Sequence, residues 1–157
     1  MRIFTILFFC FVSFSSNAQS FFHTNYGIDQ GLPSSQVYDV VQDQQGYIWI
    51  ATDAGVSRFD GAKMVSFKQA DGLSDNAIVQ MHVASDGAIW FLGFNKTFTL
   101  YKDSFFHYAH NQKLNEALQK RLITSFYPQG ADTLLLGLNT ACDDPYSGIQ
   151  IINGEVS

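Results

Sequence analysis

The sequence predicts an all-β chain built from repeated four-stranded sheets. Three observations carry that expectation. The chain matches itself at a spacing of 41 residues. Turn residues punctuate it every few residues between short apolar, β-branched runs. Aromatic residues make up 15% of it, which favours pleated surfaces where flat rings pack well.

The self-match is read residue by residue. Gly31-Leu32 matches Gly72-Leu73, Val37 matches Ile78, Gly46 matches Gly87, Ile48-Trp49 matches Ile89-Trp90, and Phe67 matches Tyr108, all at one offset. Within the first unit, QVYDVVQD alternates as a strand and Gln44-Gln45-Gly46 is a turn. YIWIATD is a second strand, AGVSRFD starts a third after Gly55, DGAK signals a hairpin and MVSFK is a fourth. QADGLSDN then leads into the second unit, which repeats the plan. A degraded third copy follows. Ile123 precedes Leu135 by the same 12 residues that separate Val37 from Trp49, so ITSFYPQGADTLLLGL supplies two strands with Leu135 in the Trp position. GIQIINGEV supplies a third strand and the turn after it. Between the second and third copies, Leu114, Leu118 and Leu122 recur at helical spacing.

Four short strands in about 40 residues is the signature of a β-propeller blade. A blade cannot bury both faces alone, so neighbours must cover them. The expected layout is a leader over 1–18, an orphan strand over 19–30 that closes a ring, and blades over 31–71 and 72–110. A helical insertion over 111–122 and a partial blade over 123–157 complete it, so the fold is an incomplete β-propeller with about two full blades and a partial third. Gly31, Gly46, Trp49, Gly72, Gly87 and Trp90 are the structural positions of the repeat. Trp49 and Trp90 are expected to pack between blades; the rival reading makes them a ligand-stacking pair. The orphan strand and the unfinished third unit imply the front part of a longer protein, or several copies that assemble.

Met1 to Ala18 reads as a secretory leader, with Arg2, an apolar run from Ile3 to Phe14, and Ser16-Asn17-Ala18 as the cleavage site. The run is too short to span a bilayer core of about 30 Å. An uncleaved anchor is the alternative. A lipoprotein signal fits less well, because Phe8 and Phe9 precede Cys10 where small residues are needed. Losing the leader moves the formal charge from −5 to −6, so no global field attracts nucleic acid or an anionic membrane. It also leaves Cys142 as the lone thiol, so no internal disulfide is expected.

Chemistry-bearing motifs are sparse. The four histidines, His23, His82, His107 and His110, supply no convincing ligand set for zinc even with Asp103 nearby, so neither metal nor cofactor is expected. No phosphate loop, nucleophile elbow or zinc-protease motif occurs. On the propeller register, the loops between blades and between second and third strands share one rim. They hold Ser34, Ser35, Asp53, Ala54, Asp75, Asn76, Asn95 and Lys96, and all of these but Ala54 are the candidate ligand contacts. Ordinary turn chemistry is the competing explanation for each.

The phrases GLPSSQVYDVVQDQQGYIWIATDAGVSRFDG and DGLSDNAIVQMHVASDGAIWF resemble the two-component-regulator propeller repeat. The resemblance covers 21–108 well and 123–156 weakly. The second unit departs from the pattern at Phe94-Asn95-Lys96, and the third lacks the Trp. What the resemblance implies is the periplasmic sensor of a bacterial histidine kinase, with a small-molecule or glycan ligand and a further sandwich domain, membrane helix and kinase downstream. It also implies tethering to the inner membrane, and pairing as a homodimer is open to the full-length protein. This chain would then bind but not phosphorylate. SDGAIWF also resembles repeats of streptogramin-lyase propellers, which makes an enzyme needing a histidine acid–base cluster the alternative, and a secreted scaffold for a protein partner the third reading.

Overall fold

The computed structural model describes residues 23–108, 111–118, 122–129, 133–139, 148–152 and 155–156. The leader, His110 and Cys142 lie outside them. The described strands form three antiparallel sheets of four, each strand pairing with its neighbour in sequence. The first holds β1 (Val37–Gln42), β2 (Ile48–Thr52), β3 (Gly55–Phe59) and β4 (Met64–Phe67). The second holds β5 (Ile78–Val83), β6 (Ile89–Gly93), β7 (Phe98–Lys102) and β8 (Ser104–His107). The third holds β9 (Leu122–Pro128), β10 (Thr133–Asn139), β11 (Gly148–Ile152) and β12 (Glu155–Val156). This is a nearly all-β, propeller-type stack of blades.

Local chemistry sets the turns. Asp43 Oδ1 accepts from the backbone N–H of Gln45 at 3.0 Å and of Tyr47 at 2.9 Å, which folds β1 back onto β2. Asp60 does the same between β3 and β4, accepting from Lys63 and Ala62; those two N–H groups hold its carboxyl below the ordinary carboxylate range. The Gly-Leu signature also has a cause. Ile28–Gln30 and Gln69–Asp71 each form one 3-10 turn, and Gly31 and Gly72 end these turns at φ 108° and 112°. Only glycine adopts that conformation cheaply. A Cβ there would also meet Met64 Cβ at 3.1 Å and Phe105 Cβ at 2.9 Å. The turn then drops Leu32 and Leu73 into buried positions.

Packing between sheets follows from the period of two along each strand. Trp49, Ala51 and Val56 point from the first sheet into a cluster with Ile78, Met81, Ile89 and Phe91 of the second. Trp90, Leu92 and Phe98 point from the opposite face of the second sheet into a cluster with Phe126, Leu134 and Leu136 of the third. Each blade thus offers its Trp to the next. Both indoles are essentially inaccessible to solvent, at 0% and 1%. The aligned aromatics do the same work in both blades, with Phe67 5.8 Å from Trp49 and Tyr108 5.1 Å from Trp90, ring centroid to centroid. Register places Leu135 opposite Tyr127, as Trp49 stands opposite Val41. Leu135 therefore occupies the Trp position, between two residues that face the second sheet.

The structure differs from the sequence expectations in three places. Residues 23–27, expected within a closing strand over 19–30, lie outside regular structure, and Ile28–Gln30 is the 3-10 turn described above. A strand needs a paired edge, and no strand of the three described sheets pairs with these residues. The insertion expected over 111–122 is α1 (Asn111–Leu118), while Leu122 belongs to β9. Helical spacing caught Leu114 and Leu118, both fully buried against the second and third sheets. Leu122, at the same spacing, is exposed on a strand. Asn111 fixes the helix by accepting from Phe98 N–H at 2.7 Å and donating to Phe98 C=O at 2.8 Å. The third unit, expected to end in a turn, adds the two-residue β12 beside β11.

Candidate functional site

Strand pairing fixes which loops share an end. Val37 pairs with Thr52 and Ile78 with Gly93, so the segments entering β1 and β5 emerge beside the β2–β3 and β6–β7 turns. All seven candidate ligand contacts lie at this end. Asp75 and Asn95 come together: Asp75 accepts from Asn95 N–H at 3.1 Å and from Ala77 N–H at 3.3 Å. Asn95 Oδ1 accepts in turn from the backbone and hydroxyl of Thr97. Asn76 exchanges hydrogen bonds with Gln69, at 2.9 Å to its backbone and 3.3 Å to its side chain. Ser34 accepts from Gln36 N–H at 3.1 Å, Ser35 and Asp53 are exposed, and Lys96 takes a left-handed turn at φ 63°. The hydrogen bonds of Ser34, Asp75, Asn76 and Asn95 shape the rim. None of the seven lines the cavities of about 340 Å³ and 310 Å³ between the blades.

The concavity at this end is built by residues that the sequence did not flag. Each first strand carries a bulge at one repeat position. The register shifts between Val37 and Asp39, between Ile78 and Gln80, and between Ile123 and Ser125. Tyr38, Val79 and Thr124 are the inserted residues. A bulge bends its strand and re-aims its side chain. The three meet at a cavity of about 340 Å³ that also takes in Asp39, Gln80, Leu92 and Ile123. Asp39 braces it across the blades, accepting from Met81 N–H at 2.7 Å and from Val40 N–H at 2.8 Å. The side chains of Tyr38, Gln80 and Thr124 make no hydrogen bond among the described residues. Two hydroxyls, an amide and an aliphatic wall suit an uncharged molecule rich in hydroxyls. The bulge was hidden in sequence because the inserted residue has no residue-type signal of its own.

The described histidines do not converge. His23 and His107 are exposed. His82 on β5 lies 4.8 Å from the Tyr127 ring and 6.2 Å from the Phe126 ring, and burial pushes its pKa below 6.5. Among the described residues there is no group of three or more His, Cys, Asp or Glu able to hold a metal ion. No helix among them is long and apolar enough to cross a membrane.

Residues 31–54 match the family model for the two component regulator propeller. The chain is similar to Histidine kinase P4 of Formosa agariphila, at 34% identity over 61 residues, which is 38% of this chain and 4% of that protein. Among solved structures, it is similar to the extracellular domain assigned to the hybrid two component system BT3049 of B. thetaiotaomicron. The TM-score is 0.58 and the identity 24%, over 72% of this chain and 17% of the other. The extracellular domain assigned to BT4673 of the same organism matches with a TM-score of 0.60 and 14% identity, over 91% of this chain and 18% of the other. The chain therefore spans less than a fifth of the length of these relatives.

Proposed function

Residues 31–54 match the two component regulator propeller, and from that premise we propose that the chain is exported by its leader and forms part of the ligand-sensing propeller of a histidine-kinase system. The observation that carries the reading is the coincidence of residues 31–54 with the family model and with a defined piece of blade. That piece holds the Gly31 turn, β1 with its bulge at Tyr38, and β2 with Trp49. Sensing is assigned to the cavity formed by the bulges, which takes a neutral, polyhydroxylated small molecule such as a short glycan. The rim loops with Asp75, Asn76, Asn95 and Lys96 lie at the same end of the blades. Tethering to the inner membrane and the output by phosphorylation belong to domains beyond these 157 residues. A lyase reading needs a histidine pair poised over one cavity, and the described histidines lie on separate elements.

The test is a thermal-shift screen of the purified protein against neutral mono- and oligosaccharides. A cognate sugar raises the melting temperature in a saturable way, because it binds only the folded state. Gln80→Ala and Thr124→Ala should each reduce that shift while leaving the ligand-free melt nearly unchanged. A screen without any hit, or a hit whose shift survives both substitutions, overturns the assignment.

A further inference from the structure

A second cavity, of about 310 Å³, opens at the other end of the blades, where the β1–β2 turn of the first faces the β5–β6 and β7–β8 turns of the second. Arg58 reaches into it from β3. Its guanidinium carbon lies 4.7 Å from the centroid of the Tyr47 ring, 5.7 Å from Trp49 and 5.9 Å from Phe67. Nη1 donates to the Tyr101 hydroxyl at 3.2 Å. That is the sole hydrogen bond of five donors among the described residues, and the ion pair found there is between Lys102 and Asp86, at 3.4 Å. Asp43, on the same wall, is committed to the N–H groups of Gln45, Tyr47 and the Trp49 indole.

The repeat supplies an internal control. Arg58 pairs with Trp49 across β2 and β3, and Leu100 pairs with Trp90 across β6 and β7. The turn closed by Asp43 N–H and Tyr47 C=O is closed in the second blade by Ala84 N–H and Ala88 C=O. Asp43, Tyr47 and Arg58 thus correspond to Ala84, Ala88 and Leu100, all three within an apolar cluster. The blade closes on apolar side chains at this position, so its architecture does not require a cation held over aromatic rings.

We propose that this inter-blade cavity is a binding subsite for a small sugar acid carrying a single carboxylate. The planar fork of Arg58 matches a carboxylate in two parallel hydrogen bonds, and the surrounding rings shield the pair from solvent. Gln44, Asp86 and Asp103 on the lining accept hydroxyl hydrogens. With Asp43, Asp86 and Asp103 set against Arg58 and Lys102, the lining carries one net negative charge. An anion is therefore held by the local Arg58 fork against that net charge, and a dianion is opposed more strongly than a monoanion.

Isothermal titration of the purified protein with D-glucuronate, glucose and glucose 6-phosphate tests this. Glucuronate should give saturable heat, with glucose and glucose 6-phosphate weaker by about tenfold or more. Arg58→Leu copies the second blade, so it should keep the wild-type melt and lose glucuronate affinity by about the same factor. Should Arg58→Leu fail to fold, Arg58→Lys keeps the charge without the fork and must still weaken binding. Absence of saturable heat with glucuronate, equal affinity for glucose, or unchanged affinity in the folded Arg58 variant overturns the proposal. Gln80→Ala in the other cavity should leave glucuronate binding intact, which separates the two assignments.

Discussion

The indole Nε1 of Trp49 donates to Asp43 Oδ2 at 2.7 Å, and the other oxygen of the same carboxylate holds the turn between β1 and β2. One buried carboxylate therefore ties the inter-blade Trp to the hairpin that presents it. Asp43→Ala strips three N–H groups of their acceptor at once. An orphaned buried donor costs about 1–3 kcal/mol. We expect the loss of unfolding free energy in urea to fall in or above that range. A change within about 0.5 kcal/mol, the scale of an inert surface substitution, would show that water replaces the carboxylate freely.

Trp49→Ala should destabilise the protein by about 3–5 kcal/mol, the usual range for truncating a large core aromatic. Its ring touches Phe67 of its own blade and Phe91 and Tyr101 of the next, with centroids 4.9–5.8 Å away. The cavity would open in the interface between blades, where neither sheet can close it alone. A near-zero change in the urea midpoint would remove the inter-blade assignment and revive a stacking role.

Gly55→Ala should cost about 1–3 kcal/mol, the range for residues forced into sparsely populated backbone regions. Gly55 has φ 136°, and a Cβ there would meet the carbonyl oxygen of Phe67 at 2.5 Å. The obstacle is backbone, so no side chain can swing aside. An alanine variant that melts like wild type would mean that β3 and β4 separate freely at this point.

The blades were legible because the 41-residue repeat, the Gln44-Gln45-Gly46 turn and the two Trp residues at that offset stand in the sequence itself. Site geometry was less so. Asp75 and Asn95 suggested a ligand rim, yet their side chains are spent on the Ala77, Asn95 and Thr97 donors of their own loops. Tyr38, Val79 and Thr124 meet only because three bulges fall at one register, and a bulge leaves no residue-type signature. Arg58 looked like an ordinary strand residue. Its setting appears once Leu100 is found at the same pairing position in the next blade.

His82 gives the stability of the protein a pH dependence. Burial against Phe126 and Tyr127 lowers its folded-state pKa below 6.5, the value expected in the unfolded chain. Between those two values the unfolded state binds more protons, so stability rises with pH across the window. The contribution of neutral His82 is fully present above about pH 6.5 and is lost as pH falls through the folded pKa. Urea unfolding from pH 8 down to pH 5 should show a decline in wild type that begins near pH 6.5. His82→Phe keeps a ring between β5 and β9 and removes the titration, so its curve should be flatter there. Parallel curves for the two proteins would assign the acid sensitivity to other groups and leave His82 as a ring that merely fills space between the second and third blades.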